Sequence, residues 1–254
     1  MGTKDSISKL NRQMLINYYK ERLNYNNIVI SISGNTRVKE AIEVLQKINI
    51  PIENGFKEKR IEEVTFNPKK KVLRKKGLSH AYLCIAYPGV SLNSDSLISL
   101  NLISCVLGYG YSSILFKKFR DERNFVYSIY SNLLTYSEGG LFIVQTSTVN
   151  SFSSELPSLI DQEIKKKVKE GIVSDELNKG IAALKTKLYV GLENSKQRMF
   201  EAGKKLILDI KNNLDVNDYE KLFDQVNLTD LNKVSVKLLL ESPTILIVKG
   251  SKED

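Results

Sequence analysis

The stretch Leu107–Val149 reads LGYGYSSILFKKFRDERNFVYSIYSNLLTYSEGGLFIVQTSTV. It opens on a glycine-rich break, Gly108-Tyr109-Gly110-Tyr111. Ser112 or Ser113 then supplies a helix-opening hydroxyl, so a short helix is predicted over 112–121. Strand-type patterning follows at about 125–135 and 140–149. Ser137-Glu138-Gly139-Gly140 lies between the two runs and signals a β-hairpin. Arg120 closes the helix, and Tyr127 is predicted on the first strand. Read from the residues alone, Arg120 complements a helix C-terminus. Tyr127 is one more strand aromatic, alternating with Phe125 and Ile129.

Upstream, Lys70–Arg74 and Ala81–Tyr87 read as strands, and Pro88-Gly89 breaks the second. Ser94 or Asp95 caps a helix that carries Leu97, Leu100, Ile103 and Leu107 on its apolar side and stops at Gly108. Downstream the chain is mostly helical. One helix is predicted over 152–170, stopped by Gly171. A long segment from Ser174 to about Asn212 opens with Asp175 and Glu176, as a helix N-terminus favours. Further helices fall at about 215–225 and 229–241, and Thr244–Val248 (TILIV) is a closing strand. Strands, then helices, then a final strand predict an α+β fold. Its sheet is mixed and mostly antiparallel, with helices packed on one face.

The first 50 residues differ. A helix over 6–23 places Ile7, Leu10, Met14 and Leu15 at helical spacing. Residues 27–33 (NIVISIS) form a β-branched run closed by Gly34-Asn35. A helix from Val38 to about Ile48 turns Ala41, Val44 and Leu45 inward. One strand with no sheet to join cannot bury both its faces. Residues 1–50 therefore read as the tail of an incomplete N-terminal α+β domain, or as a segment that docks on something else. Residues 51–60, with a proline, a glycine and mixed charge, are the expected linker, and 61–254 the C-terminal α+β domain.

Composition narrows the function. The 254 residues are 42% hydrophobic and 26% charged, ordinary for a globular protein. No apolar run approaches the ~20 residues of a membrane span, so no membrane partner is expected. Nothing at MGTKDSISKL resembles a secretion signal. Two cysteines, Cys84 and Cys105, sit in apolar company and fit a reducing, cytoplasmic compartment. The net charge is +9. Its lysines are spread, and PKKKVLRKK has no interleaved aromatics, so nucleic-acid binding is a minor alternative. The Gly-Tyr-Gly-Tyr-Ser-Ser stretch lacks the lysine and spacing of a P-loop.

The order LGYGYSSILFKKFRDERNFVYSIYS, then the Gly139-Gly140 hairpin, then GIVSDELNKGIAALK, resembles the insulinase/pitrilysin family of zinc metallopeptidases. These are processing-peptidase-like members of the inverzincin clan. The resemblance runs along nearly the whole chain. Gly2-Thr3, the helix with Tyr18-Tyr19, and NNIVISISGN are similar to the end of the family's first half. Residues from about 61 to 250 are similar to its second, non-zinc half, a processing-peptidase/LuxS-like metallohydrolase half. The family's zinc signature, H-x-x-E-H, is absent. His80 is the single histidine. On a strand it would lie ~13 Å from Cys84, too far to share an ion bound at ~2.0–2.3 Å. No cofactor is expected in this chain, and zinc is expected in a missing half or partner.

What the resemblance implies is a family arginine–tyrosine pair at Arg120 and Tyr127, as substrate contacts. Arg123 is a rival that the family's spacing sets aside. The implied function is the peptide-binding, non-zinc portion of an insulinase-like peptidase, inactive alone. Its partners would be a peptide substrate and a zinc-bearing half or subunit, with self-association possible. The alternative is a catalytically degenerate assembly or binding module of the same fold.

Overall fold

The computed structural model describes residues 2–23, 27–47, 64–208 and 216–251. The helices are α1 (Lys4–Ser8), α2 (Arg12–Arg22), α3 (Val38–Lys47), α4 (Leu97–Gly108), α5 (Ile114–Phe116), α6 (Leu156–Glu170), α7 (Ser174–Glu193), α8 (Ser195–Ile207), α9 (Val216–Asp224) and α10 (Leu228–Leu239). The strands are β1 (Lys70–Lys75), β2 (His80–Pro88), β3 (Ile129–Thr135), β4 (Gly140–Val149) and β5 (Thr244–Gly250). Two compact units result. One comprises Met1–Ile61 and Gly191–Ile210; the other comprises Glu62–Val190 and Lys211–Asp254. Segment 191–210 thus groups with the N-terminal residues. The expected linker, 51–60, lies outside the described residues.

The larger unit is built on a five-stranded sheet in the order β1-β5-β2-β4-β3. β1 and β5 are parallel and every other neighbouring pair is antiparallel. The fold is therefore α+β with a mixed, mostly antiparallel sheet. Strand alternation sorts the side chains. Leu83, Ile85 and Tyr87 of β2, Phe142 and Val144 of β4, and Ile247 of β5 lie on the buried face. Leu100, Ile103 and Leu107 of α4, Ile160 and Ile164 of α6, and Leu231 and Leu239 of α10 complete that core. Burying each such side chain contributes about 1.5–3 kcal/mol. The opposite face is more exposed at one end, although Ala86 and Ile143 on it are buried. It carries Tyr82 and Tyr130, 55% and 49% exposed, with Cys84 and Gln145 between them in the register. Helices cover one face only, as the sequence pattern predicts.

Two contacts fix α4 against β3. Ser131 Oγ bonds the Ser104 carbonyl at 2.7 Å and lies 2.9 Å from Ser104 Oγ, all of it buried. One turn on, Gly108 comes so close to β3 that a Cβ there would sit 2.6 Å from the Ser131 nitrogen. Only a hydrogen at that position lets the helix end lie on the strand.

The smaller unit departs from the sequence reading. The helix expected over 6–23 is two helices, because the Asn11 side chain accepts from Met14 N–H at 2.9 Å and starts a new one. Ile7, Leu10, Met14 and Leu15 are all about half exposed rather than packed. In α3, Ala41 and Leu45 are half-buried, but Val44 is 58% exposed. Residues 27–33 join no sheet, since a strand exists only through a pairing neighbour and the described residues supply none. Ser31 Oγ–H instead donates to the Met199 carbonyl of α8 at 2.7 Å. The long helix expected from Ser174 is also divided. Asn194 accepts from Lys196 and Gln197 N–H and caps α8 as a new start.

Candidate functional site

The segment between α4 and β3 carries both residues singled out by the sequence. Gly110 adopts φ +81°, a left-handed turn that glycine takes freely. The Ser113 hydroxyl donates to the Gly110 carbonyl at 2.8 Å and closes that turn. The predicted helix 112–121 is observed as the short α5 followed by a π-type turn, Lys117–Glu122. Such widened turns are frequent at functional sites. Asn124, at φ +53°, ends it; asparagine tolerates that conformation better than other residues with a Cβ. Phe125 N–H then reaches back to the Phe119 carbonyl at 2.9 Å, folding the chain toward β3.

Arg120 is half-buried within the π turn and stacks on aromatic rings. Its guanidinium carbon lies 4.6 Å from the Phe116 ring centre, 5.4 Å from Tyr127 and 5.8 Å from Tyr111. Among the described residues no carboxylate lies within ion-pair distance of it. Glu122 is turned to Lys118 at 2.8 Å, and that bond holds its carboxyl below the usual range. The cation therefore rests on ring faces and keeps its full charge, with no counter-ion among the described residues. Its N–H fork remains available to an oxygen ligand. Arg123 is the exposed rival. It lies over Phe119 and Phe125, at 5.8 and 6.0 Å.

Tyr127 is not on a strand. It sits two residues before β3 and is 82% exposed. The cause lies on β4. There the Thr146 hydroxyl donates to the Ser128 carbonyl at 2.7 Å and the Thr148 hydroxyl to the Phe125 carbonyl at 2.6 Å. Both threonines are buried, 6% and 3% exposed. These side-chain bonds replace ladder bonds and pin the chain on either side of Tyr127. Among the described residues the Tyr127 hydroxyl has no hydrogen-bond partner. The structure thus brings Arg120 and Tyr127 together, and adds Phe116, Tyr111, Thr146 and Thr148, which the sequence reading did not single out. Phe116 could have been found at four residues before Arg120 on one helix face. The threonines carried no signal, because only the hairpin register brings them to the loop.

Other candidates are not part of this arrangement. A polar cleft of about 360 Å³ lies between the end of α4, the 109–118 segment, α6 and α7, and is lined by Cys105, Tyr109, Lys117 and Glu176 among others. Neither Arg120 nor Tyr127 lines it. His80 stands exposed at the start of β2, its Nδ1 3.0 Å from Ser79 Oγ. Cys105 is buried, which pushes its thiol up to about 11. Among the described residues no three His, Cys, Asp or Glu side chains gather around one point that could hold a metal ion. The donors among the described residues do not fit zinc.

A helix-backed sheet with an arginine–tyrosine pair beside its edge strand defines the class as an α+β domain. The family model described as "Peptidase M16 inactive domain" matches residues 9–184, and the chain belongs to that peptidase M16 family. An uncharacterized zinc protease, YmxG, of Bacillus subtilis is 26% identical across 99% of this chain and 61% of its own length. An uncharacterized zinc protease of Rickettsia bellii is 24% identical across 80% of this chain and 49% of its own. The chain thus spans about half to three fifths of these relatives. In fold it is similar to a peptidase M16 inactive domain from Pseudomonas fluorescens, with a TM-score of 0.84 at 16% identity, over 98% of this chain and 60% of that one. It is likewise similar to a protease from Helicobacter pylori, with a TM-score of 0.81 at 18% identity, over 98% and 61%.

Proposed function

We propose that this chain is the non-zinc, peptide-binding portion of an insulinase-like zinc peptidase, inactive by itself. It supplies Arg120 and Tyr127 to a substrate whose scissile bond is cut by a zinc-bearing half. The observation that carries this reading is the Arg120–Tyr127 contact. A cation without a carboxylate partner and a free phenol lie beside one another, at the start of the sheet's edge strand. Peptide hydrolysis builds negative charge on the scissile carbonyl oxygen. A guanidinium fork and a phenol are donors that hold such an oxygen or the neighbouring backbone carbonyl. β3 pairs with β4 alone among the described strands, so its outer edge can take an extended peptide by backbone hydrogen bonding. The relatives named zinc proteases, longer than this chain, support the pairing with a zinc-bearing half. A cytoplasmic site of action, read from two free thiols, belongs to the same proposal.

Peptide binding to the purified chain tests it. An unstructured peptide should bind wild type and lose affinity with Arg120→Ala, while Arg123→Ala binds as wild type. Chelator-sensitive peptide cleavage by the pure chain would overturn the division of labour. The second reading, a degenerate assembly module, predicts no dependence on Arg120.

A further inference from the structure

The sheet has a second edge, and its chemistry differs from that of β3. β1 pairs with β5 alone among the described strands and lies at the opposite end of the strand order. It is exposed along its whole length, Val72 and Leu73 included, at 44% and 42%. The ladder bonds fix which way its backbone points. Ile245 N–H donates to the Lys69 carbonyl at 2.8 Å, and Ser251 N–H to the Lys75 carbonyl at 3.3 Å. Backbone direction alternates along a strand. Odd-numbered residues therefore bond β5, and Lys70, Val72 and Arg74 present their N–H and C=O groups outward. Six cations stand on or beside this edge: Lys69, Lys70, Lys71, Arg74, Lys75 and Lys76. Among the described residues none of them has a carboxylate within ion-pair distance. Arg74 is set directly across from Lys249 in the register, a like-charge pairing that costs stability. Lysines on an edge keep neutral and basic strands from adding to it. The same charges attract an acidic strand.

We propose that β1 is a docking edge for an acidic, extended segment of a partner protein, which adds to the sheet as a further strand. A strand laid along this edge meets cations at both ends and apolar side chains in the middle: Lys70-Lys71, then Val72-Leu73, then Arg74-Lys75. Its complement is acid-acid-apolar-apolar-acid-acid. That order reads the same from either end, so it suits parallel and antiparallel addition alike. Backbone bonds to the three outward residues supply attachment. Opposite-charge pairs across the strands supply selection. No aromatic ring interrupts residues 69–76, so the edge lacks the stacking platform on which single-stranded nucleic acid relies. The site is independent of Arg120 and Tyr127, which lie beside β3 at the other edge.

The test uses the whole chain and two fluorescein-labelled peptides of one composition, each flanked by glycine and serine. The ordered peptide carries Glu-Glu-Val-Val-Glu-Glu and the scrambled one Glu-Val-Glu-Glu-Val-Glu. Binding is followed by anisotropy. Scrambling sets valines against Lys71 and Arg74, so two opposite-charge pairs are lost. Wild type should therefore bind the ordered peptide about two- to thirtyfold more tightly. Val72→Pro removes an outward N–H and no ladder bond, a strand position that tolerates proline. Its melting midpoint should stay near wild type, while ordered-peptide binding falls to the scrambled level. The Lys70→Gln, Arg74→Gln double variant keeps the backbone and should weaken the ordered peptide by about two- to thirtyfold. Equal affinity for the two peptides overturns the proposal in favour of a simple polyanion site. Tighter binding of a short oligothymidylate than of the ordered peptide overturns it in favour of nucleic acid. Ordered-peptide binding that survives both variants, or no binding of either peptide, overturns it outright.

Discussion

Replacing Thr148 by valine keeps the shape of a buried side chain and removes one hydrogen-bond donor. The hydroxyl lost is the one 2.6 Å from the Phe125 carbonyl, two residues before Tyr127. Thr148 is 3% exposed, so water does not readily replace it. A buried acceptor left unpaired costs about 1–3 kcal/mol. For a chain of this size that lowers the melting midpoint by about 2–12 °C. The loss should also be local. Phe125 keeps its own N–H bond to Phe119, and Ser128 keeps the Thr146 hydroxyl at 2.7 Å. Hydrogen exchange should therefore quicken in fragments covering 122–130, while β2 and the rest of β4 stay protected. Peptide affinity should fall with Tyr127 no longer held over Arg120. A midpoint drop with unchanged exchange at 122–130 would refute the anchoring argument. So would no change in either quantity.

Other outcomes follow from the same contacts. Gly108→Ala would put a Cβ 2.6 Å from the Ser131 nitrogen; overpacking of this kind costs about 1–3 kcal/mol. Urea unfolding should show a lower midpoint with an unchanged slope. Alkaline pH should also destabilise the fold. Burial raises Cys105 from an ordinary 9.0 to about 11. It also raises the Tyr87 phenol, which donates to Asp161 at 2.8 Å. Both groups are held neutral in the fold and ionise more readily when unfolded. The Cys105 contribution is complete below pH 9 and is lost as pH rises through 9 to 11, whereas that of Tyr87 begins to fall only as pH rises past its ordinary value of 10.0. A flat stability profile across that range would contradict these burial effects. At pH 8 a thiol reagent should modify the half-buried Cys84 before the buried Cys105.

The parts of the fold legible in the sequence were those written in local pattern. The 140–149 strand, the Gly139-Gly140 hairpin and the Gly171 stop declare themselves through period and turn chemistry. Residues 27–33 show the limit of that method. Their β-branched pattern is strand-like, but a ladder needs a neighbour, and pattern cannot supply one. The first helix shows another. Ile7, Leu10, Met14 and Leu15 have helical spacing, yet Asn11 competes for the backbone and splits the element. At the site, Arg120 and Tyr127 were legible through a family resemblance and not through their own chemistry. Tyr127 was placed on the strand because its alternation with Phe125 and Ile129 continues past the ladder's end. Thr146 and Thr148 decide that end, and only the register brings them there.

The central claim is that Arg120 and Tyr127 serve a substrate and not the fold, and turnover after reconstitution with a zinc-bearing half measures it most directly. Tyr127→Phe removes one donor from an exposed residue, so the melting midpoint should not move. Loss of one oxyanion donor should lower kcat by about 10²–10³. Arg120→Lys keeps the charge but loses the planar fork and should also be impaired. Arg123→Ala, over its own separate rings, should remain close to wild type. Unfolding by Tyr127→Phe would contradict the account, and so would full turnover in both variants with activity lost in Arg123→Ala.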